Sequence, residues 1–207
     1  MPRYGLIDSD YAGRLRSPSA DGPFYMLNLT RYKPQAEFHR PAERRSSAWP
    51  DAYYAPVGVL SAIGATLCFV ADAVASTGDW DRVSVARYPS RHSFVAMADT
   101  PDFQQWHLHN SESIAELLVL GLVPTAQLPD EASTYRMLLE IWHGDPAAPL
   151  AAGRASLFGV EGTIVGDGRR WTGARFTVIE AGTALPLPDG RPSYQALLLE
   201  PVLERWR

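Results

Sequence analysis

Between Trp80 and Asn110 the hydrophobic pattern changes period twice, and each change marks an element. Arg82 to Tyr88 alternate, with Val83 and Val85 on one face and Ser84, Ala86 and Tyr88 on the other, which predicts a strand. Pro89-Ser90 then supplies a turn and an N-cap hydroxyl for a short helix from Arg91 to about Ala98. Thr100-Pro101-Asp102 repeats that signal, with a cap, a proline at the first helical position and an acid in the first turn, so a second helix starts near Pro101. At about 100° per residue, Phe103, Trp106, His107, Asn110 and Ile114 share one stripe while His109 projects to the opposite side. His107 is therefore expected to face inward beside two aromatics.

The same reading predicts a first strand at Phe24 to Tyr32, with Tyr25, Leu27 and Leu29 on one face and Met26, Asn28 and Thr30 on the other. The apolar face is expected beneath helices, leaving Asn28 on the opposite side of the sheet. From Asp51 to Ile63, Tyr53, Val57 and Leu60 follow helical spacing and Gly64 stands as a stop. Leu67 to Ala75 and Leu117 to Val123 read as further strands, completing β-α-β-β-α-β with the last helix split. Pro124 to Ser133 reads as a linker. Beyond it, Tyr135 to Trp142 repeats the pattern of the first strand. Ala155 to Val165 and Arg170 to Glu180 are β-rich and joined by the hairpin signal Gly166-Asp167-Gly168, and Tyr194 to Leu199 supplies a last strand. Only Pro146 to Gly153 has room for a helix in this half. Met1 to Gly22 lack a sustained period and read as an extended arm.

With 207 residues, 46% of them hydrophobic, the chain can build one large core or two small ones. The net charge of −4, with scattered Lys and Arg, argues against a nucleic-acid footprint. Cys68 is the single cysteine, which excludes an intrachain disulfide and a cysteine-based zinc site. No apolar run approaches the roughly 20 residues of a membrane-spanning helix, and the N-terminus lacks a basic-then-hydrophobic leader, so a cytoplasmic protein without membrane association is the expectation.

The segments MLNL at 26–29, KPQAEF at 33–38, WDRVSVARYPSRHSFVAMADTPDFQQWHLHN at 80–110 and LGLVP at 120–124 resemble a poorly characterised family of dimeric α/β-barrel proteins of the antibiotic-monooxygenase-like superfamily. YPSR followed by Phe and Met is the most specific part. The resemblance implies an α+β fold of the ferredoxin-like type, with residues 1–22 as an arm, 23–125 as a ferredoxin-like domain and 134–207 as a degenerate, β-rich second half. Two such halves in one chain would stack sheet against sheet around an apolar pocket; a homodimer is the other arrangement the family uses. The family carries a His-Arg pair on its last helix where this chain reads His109-Asn110, so the cation is missing.

There is no phosphate loop, nucleophile elbow, H-E-x-x-H or paired-cysteine motif, which argues against kinases, classical dehydrogenases, α/β hydrolases and zinc proteases. Chemistry must come from side chains expected to line a pocket. An imidazole can take a proton from an acidic carbon or phenol, while an amide or phenol stabilises the enolate that forms. His107 is the candidate base, and Asn28 and Tyr88 are candidate donors. Trp106, Met97, Tyr53, Tyr54, Phe103, Arg44 and His143 are candidate substrate contacts. The reading is a small-molecule enzyme acting without an organic cofactor on an aromatic or polyketide-like compound, as an isomerase, cyclase or cofactor-free monooxygenase. Two alternatives stand beside it. One is heme binding, since the resemblance extends to heme-degrading relatives in which Asn28 would match the strand Asn and His107 the axial ligand, with Met97 where their Trp belongs. The other is a non-catalytic accessory protein that holds a ligand. His107 and His109 diverge on a helix and cannot chelate one metal together.

Overall fold

The computed structural model describes residues 6–17, 22–33, 57–104, 114–125, 136–145, 148–180, 187 and 193–206. Its elements are β1 (Leu6–Ile7), α1 (Ser9–Leu15), β2 (Phe24–Tyr32), α2 (Val57–Ala62), β3 (Thr66–Ser76), β4 (Arg82–Tyr88), α3 (Arg91–Ala98), β5 (Ile114–Pro124), β6 (Arg136–Trp142), β7 (Ala155–Gly166), β8 (Gly173–Ile179) and β9 (Tyr194–Glu204).

Strands β2 to β9 form a closed antiparallel ring in the order β7-β5-β2-β4-β3-β9-β6-β8, with β8 returning to β7, and β1 adds to the far edge of β7. Closure leaves each strand two neighbours and the sheet no long exposed edge. Two joints connect the leading strands β2–β5 to the trailing strands β6–β9: β5 with β7, where Gly121 faces Gly162, and β3 with β9, where Ala73 faces Leu199. The pairing order is the same in each set of four, β5-β2-β4-β3 and β9-β6-β8-β7.

This corrects the expectation of an α+β, ferredoxin-like α/β-barrel. The molecule is a β-rich closed barrel with few helices. Among the described residues the trailing strands carry no helix, and both sets of four merge into one sheet. The stretch 146–153, the one with room for a short helix, forms none in its described part, 148–153. The arm, expected to be extended, contains α1, capped by Asp8, whose carboxylate accepts from Asp10 N and Tyr11 N at 3.0 Å.

The barrel interior is filled. Tyr25, Leu27 and Leu29 of β2, Phe69, Val83, Val85, Leu118, Leu120 and Leu122 meet Met137, Leu139, Ile141, Phe176, Leu197 and Leu199 from the trailing strands, and Trp80, Trp171 and Trp206 pack among them. Trp206 stacks on Phe69 at 5.3 Å and meets Phe176 edge-on at 5.3 Å. An eight-stranded barrel is just wide enough for side chains to fill it. The pocket expected between two sheets is therefore occupied by side chains. The face assignment of β2 is corrected with it: the Leu27 face points into the barrel, and the Met26 face lies beneath the helices.

A second apolar layer coats the outside of the leading strands. Tyr11 and Leu15 of α1, Leu60 of α2 and Met97 of α3 lie on Phe24, Met26, Leu67, Val70, Ala86, Tyr88 and Val119. The trailing strands have their own outer layer of Leu138, Trp142, Ile179, Tyr194, Ala196 and Leu198, covered by Leu150, Ala151 and Leu187 in place of helices. Among the described residues, no helix is long and apolar enough to cross a membrane.

Candidate functional site on the outer face of the leading strands

The interior is filled, and Asn28, two residues from Met26 on β2, lies on the outer face. Strand register sets two neighbouring rows of residues across the helix-covered face. Ala86, Met26, Gly121 and Gly162 form one row, and Ser84, Asn28, Val119 and Val165 form the next. Asn28 is half-buried at the middle of the second row. Among the described residues its amide makes one hydrogen bond, a long one, Nδ2 donating to Met26 O at 3.4 Å. Among the described residues its row neighbours are the half-buried Ser84 and the apolar Val119, and the next row on the same face brings Thr30 and Arg82, the latter paired with Asp72.

Tyr88 is not at hand as a donor. It pairs with Phe24 at the start of β2, four residues and about 13 Å along the strand from Asn28. Its ring stacks on Phe24 at 5.4 Å and meets Phe94 edge-on at 5.3 Å, and its hydroxyl contacts Met97 Sδ at 4.0 Å. Burial pushes the phenol well above its ordinary range. Met97 is 1% exposed and closes this cluster. Tyr88 and Met97 are thus packing residues, and neither presents a face to a substrate or a porphyrin. Phe103 is half-buried against the same layer.

His143 is exposed just beyond β6, its backbone N–H donating to Ser193 O at 2.9 Å. In the ring of strands β6 stands diametrically across from β2, so His143 does not join Asn28. His107, Trp106, Tyr53, Tyr54 and Arg44 lie outside the described residues. Among the described residues, no group of three or more His, Cys, Asp or Glu is placed to hold a metal ion.

Two polar clusters escaped the sequence reading. On the outer face of the trailing strands, Glu140 is completely buried and accepts from Arg175 Nε at 2.7 Å and Nη2 at 2.8 Å, from Tyr194 OH at 2.6 Å and from Leu150 N at 3.4 Å. The Arg175 guanidinium lies 5.4 Å from the Trp142 ring centre. This carboxylate is fully engaged, and its role is to join β6, β8 and β9. The available signal was an acid in the apolar run YRMLLEIW facing an arginine in GARFTVI. The second cluster joins Arg91 of α3 to Glu161 of β7 and Tyr11 of α1. Its members are far apart in sequence, and no local pattern announces them.

No family model matches this chain, and no curated protein does. Two solved structures are similar to it. One is the crystal structure of methylated RPA0582 protein, 26% identical over 61% of this chain and 98% of its own, with a TM-score of 0.46. The other is the RPA0582 protein of unknown function from Rhodopseudomonas palustris, a structural genomics target, 27% identical over 59% of this chain and 99% of its own, with a TM-score of 0.44. The resemblance to the dimeric barrel superfamily finds no support among these comparisons.

Proposed function

We propose that this protein is a small-molecule enzyme whose substrate, flat and mostly apolar with one carbonyl or phenolic oxygen, lies on the outer face of the leading strands. Asn28 would donate to that oxygen and His107 would act as the base. The observation that supports this most is the half-buried Asn28 amide, whose one hydrogen bond among the described residues is long. A polar group in such a place is ordinarily paired, and a ligand oxygen would pair it. His107 enters from the helical stripe in the sequence alone.

The test is a thermal-shift screen of aromatic and polyketide-like compounds followed by product analysis. Asn28→Leu should weaken binding of a hit roughly fivefold to tenfold, the worth of one neutral hydrogen bond. His107→Ala should keep binding and lose turnover by about 10²- to 10⁴-fold. Binding without product in the unaltered protein would point instead to a ligand carrier. Hits unaffected by Asn28→Leu would remove this face from the account.

A further inference from the structure

The two joints of the barrel are built differently. In β7, three of the twelve residues from Ala155 to Gly166 are the glycines Gly159, Gly162 and Gly166, which add no side-chain packing to a strand. The β5–β7 joint is crossed on its outside by the N-terminal arm, whose Tyr11 side chain lies on the joint itself. Gly121 and Gly162 face each other across the joint, and a Cβ on either would strike the Tyr11 ring. The two glycines form a slot for that ring, and Tyr11 is 2% exposed in it. Its hydroxyl donates to Glu161 at 3.0 Å, and Arg91 at the start of α3 clamps the same carboxylate with Nε at 2.9 Å and Nη2 at 2.5 Å. Arg91 Nη1 also donates to Gly22 O, where the arm leads into β2. At the other end of α3, Arg16 pairs with Asp99 at 3.1 Å. Among the described residues the main-chain hold is slight by comparison: two residue pairs, Leu6 with Gly166 and Ile7 with Val165, and Asp8 N donating to Ile164 O at 3.2 Å. Ile7 remains 69% exposed. A seven-residue helix with two buried side chains belongs to the least stable part of a fold.

We propose that the arm is a releasable latch: Tyr11 in its two-glycine slot holds the β5–β7 joint shut, and withdrawal of the arm opens that joint while β3–β9 stays paired. The row that holds Tyr11 is next to the row of Asn28, so release would also uncover one side of the ligand face. That last consequence rests on the function proposed above; the latch does not.

Hydrogen exchange on the full chain tests it. In Gly162→Ala, whose new methyl expels the ring, residues 6–17 should exchange at once. Exchange in 118–124 and 159–166 should quicken at least tenfold, and that in 66–76 and 194–204 should stay as in the unaltered protein. Tyr11→Ala, which empties the slot without adding an atom, should give the same pattern and decides the matter should Gly162→Ala not fold. Equal acceleration at both joints, or a freed arm over a β5–β7 joint as protected as before, overturns the proposal.

Discussion

Tyr88 shows how far one residue's chemistry depends on where its strand puts it. On paper it is a phenol beside a candidate histidine; in the fold it is wedged between Phe24, Phe94 and Met97. Burial raises its pKa, and burial together with the Glu161 carboxylate raises that of Tyr11. Below the ordinary phenol range, both folded and unfolded chains hold these protons, and pH has no effect through them. Above about pH 10 the unfolded chain releases them and the folded chain does not, so stability falls as pH rises, by up to about 1.4 kcal/mol per pH unit for each group. Tyr88→Phe, which loses only a 4.0 Å contact to sulfur, should leave the midpoint of chemical denaturation at pH 7 nearly unchanged and flatten the decline between pH 10 and 11. A decline as steep as in the unaltered protein would show that Tyr88 titrates normally.

Glu140 carries a prediction of the opposite kind. Arg175→Met strands a buried carboxylate and should destabilise by about 3–5 kcal/mol, with Glu140→Leu added restoring part of the loss, as measured by urea denaturation. An acid in an apolar run marks Glu140, but its partner is not legible, because pairing across strands 35 positions apart leaves no local trace. Asn28 was legible, since alternation isolates it as a polar position on a strand. The side it faces was not.

Among the elements, β4 and α3 lie where the change of period puts them, because a strand with clean alternation and a helix with a serine cap are local facts. The β2 faces were misassigned for a physical reason. At its start both faces are apolar, Tyr25 and Leu27 on one and Phe24 and Met26 on the other, as befits a strand with a filled barrel behind it and helices in front. Alternation alone cannot say which apolar face is which. Helix α1 was hidden among prolines and glycines, although Asp8 followed by Asp10 is a start signal. The Ser90 cap accepts from Ser93 N at 3.0 Å, and α3 packs on the Phe24–Tyr88 end of the face that carries Asn28. Ser90→Ala should therefore cost about 1 kcal/mol in urea denaturation and loosen ligand binding along with it; loss of stability with unchanged affinity would separate α3 from the site.

At the scale of the whole molecule, closure determines where function can reside. The sequence indicated that one face of the leading strands needed a partner; the trailing strands provide it, on the Leu27 face, by completing the same barrel. That depends on pairings between residues such as Gly121 and Gly162, which no local pattern encodes. In the closed ring the interior is taken up by side chains from both sets of strands, and His143 is carried to the far side from Asn28.

Methionine methyl groups report on both sides of the barrel wall. Of the four in the chain, Met26 and Met97 lie in the outer layer and Met137 in the interior, while Met1 lies outside the described residues. Methyl-labelled protein titrated with the best compound from the thermal-shift screen, with signals assigned by single Met→Leu variants, should show the Met26 resonance moving with ligand and that of Met137 staying fixed. Movement of Met137 with Met26 unmoved would put the ligand inside the barrel and contradict the account.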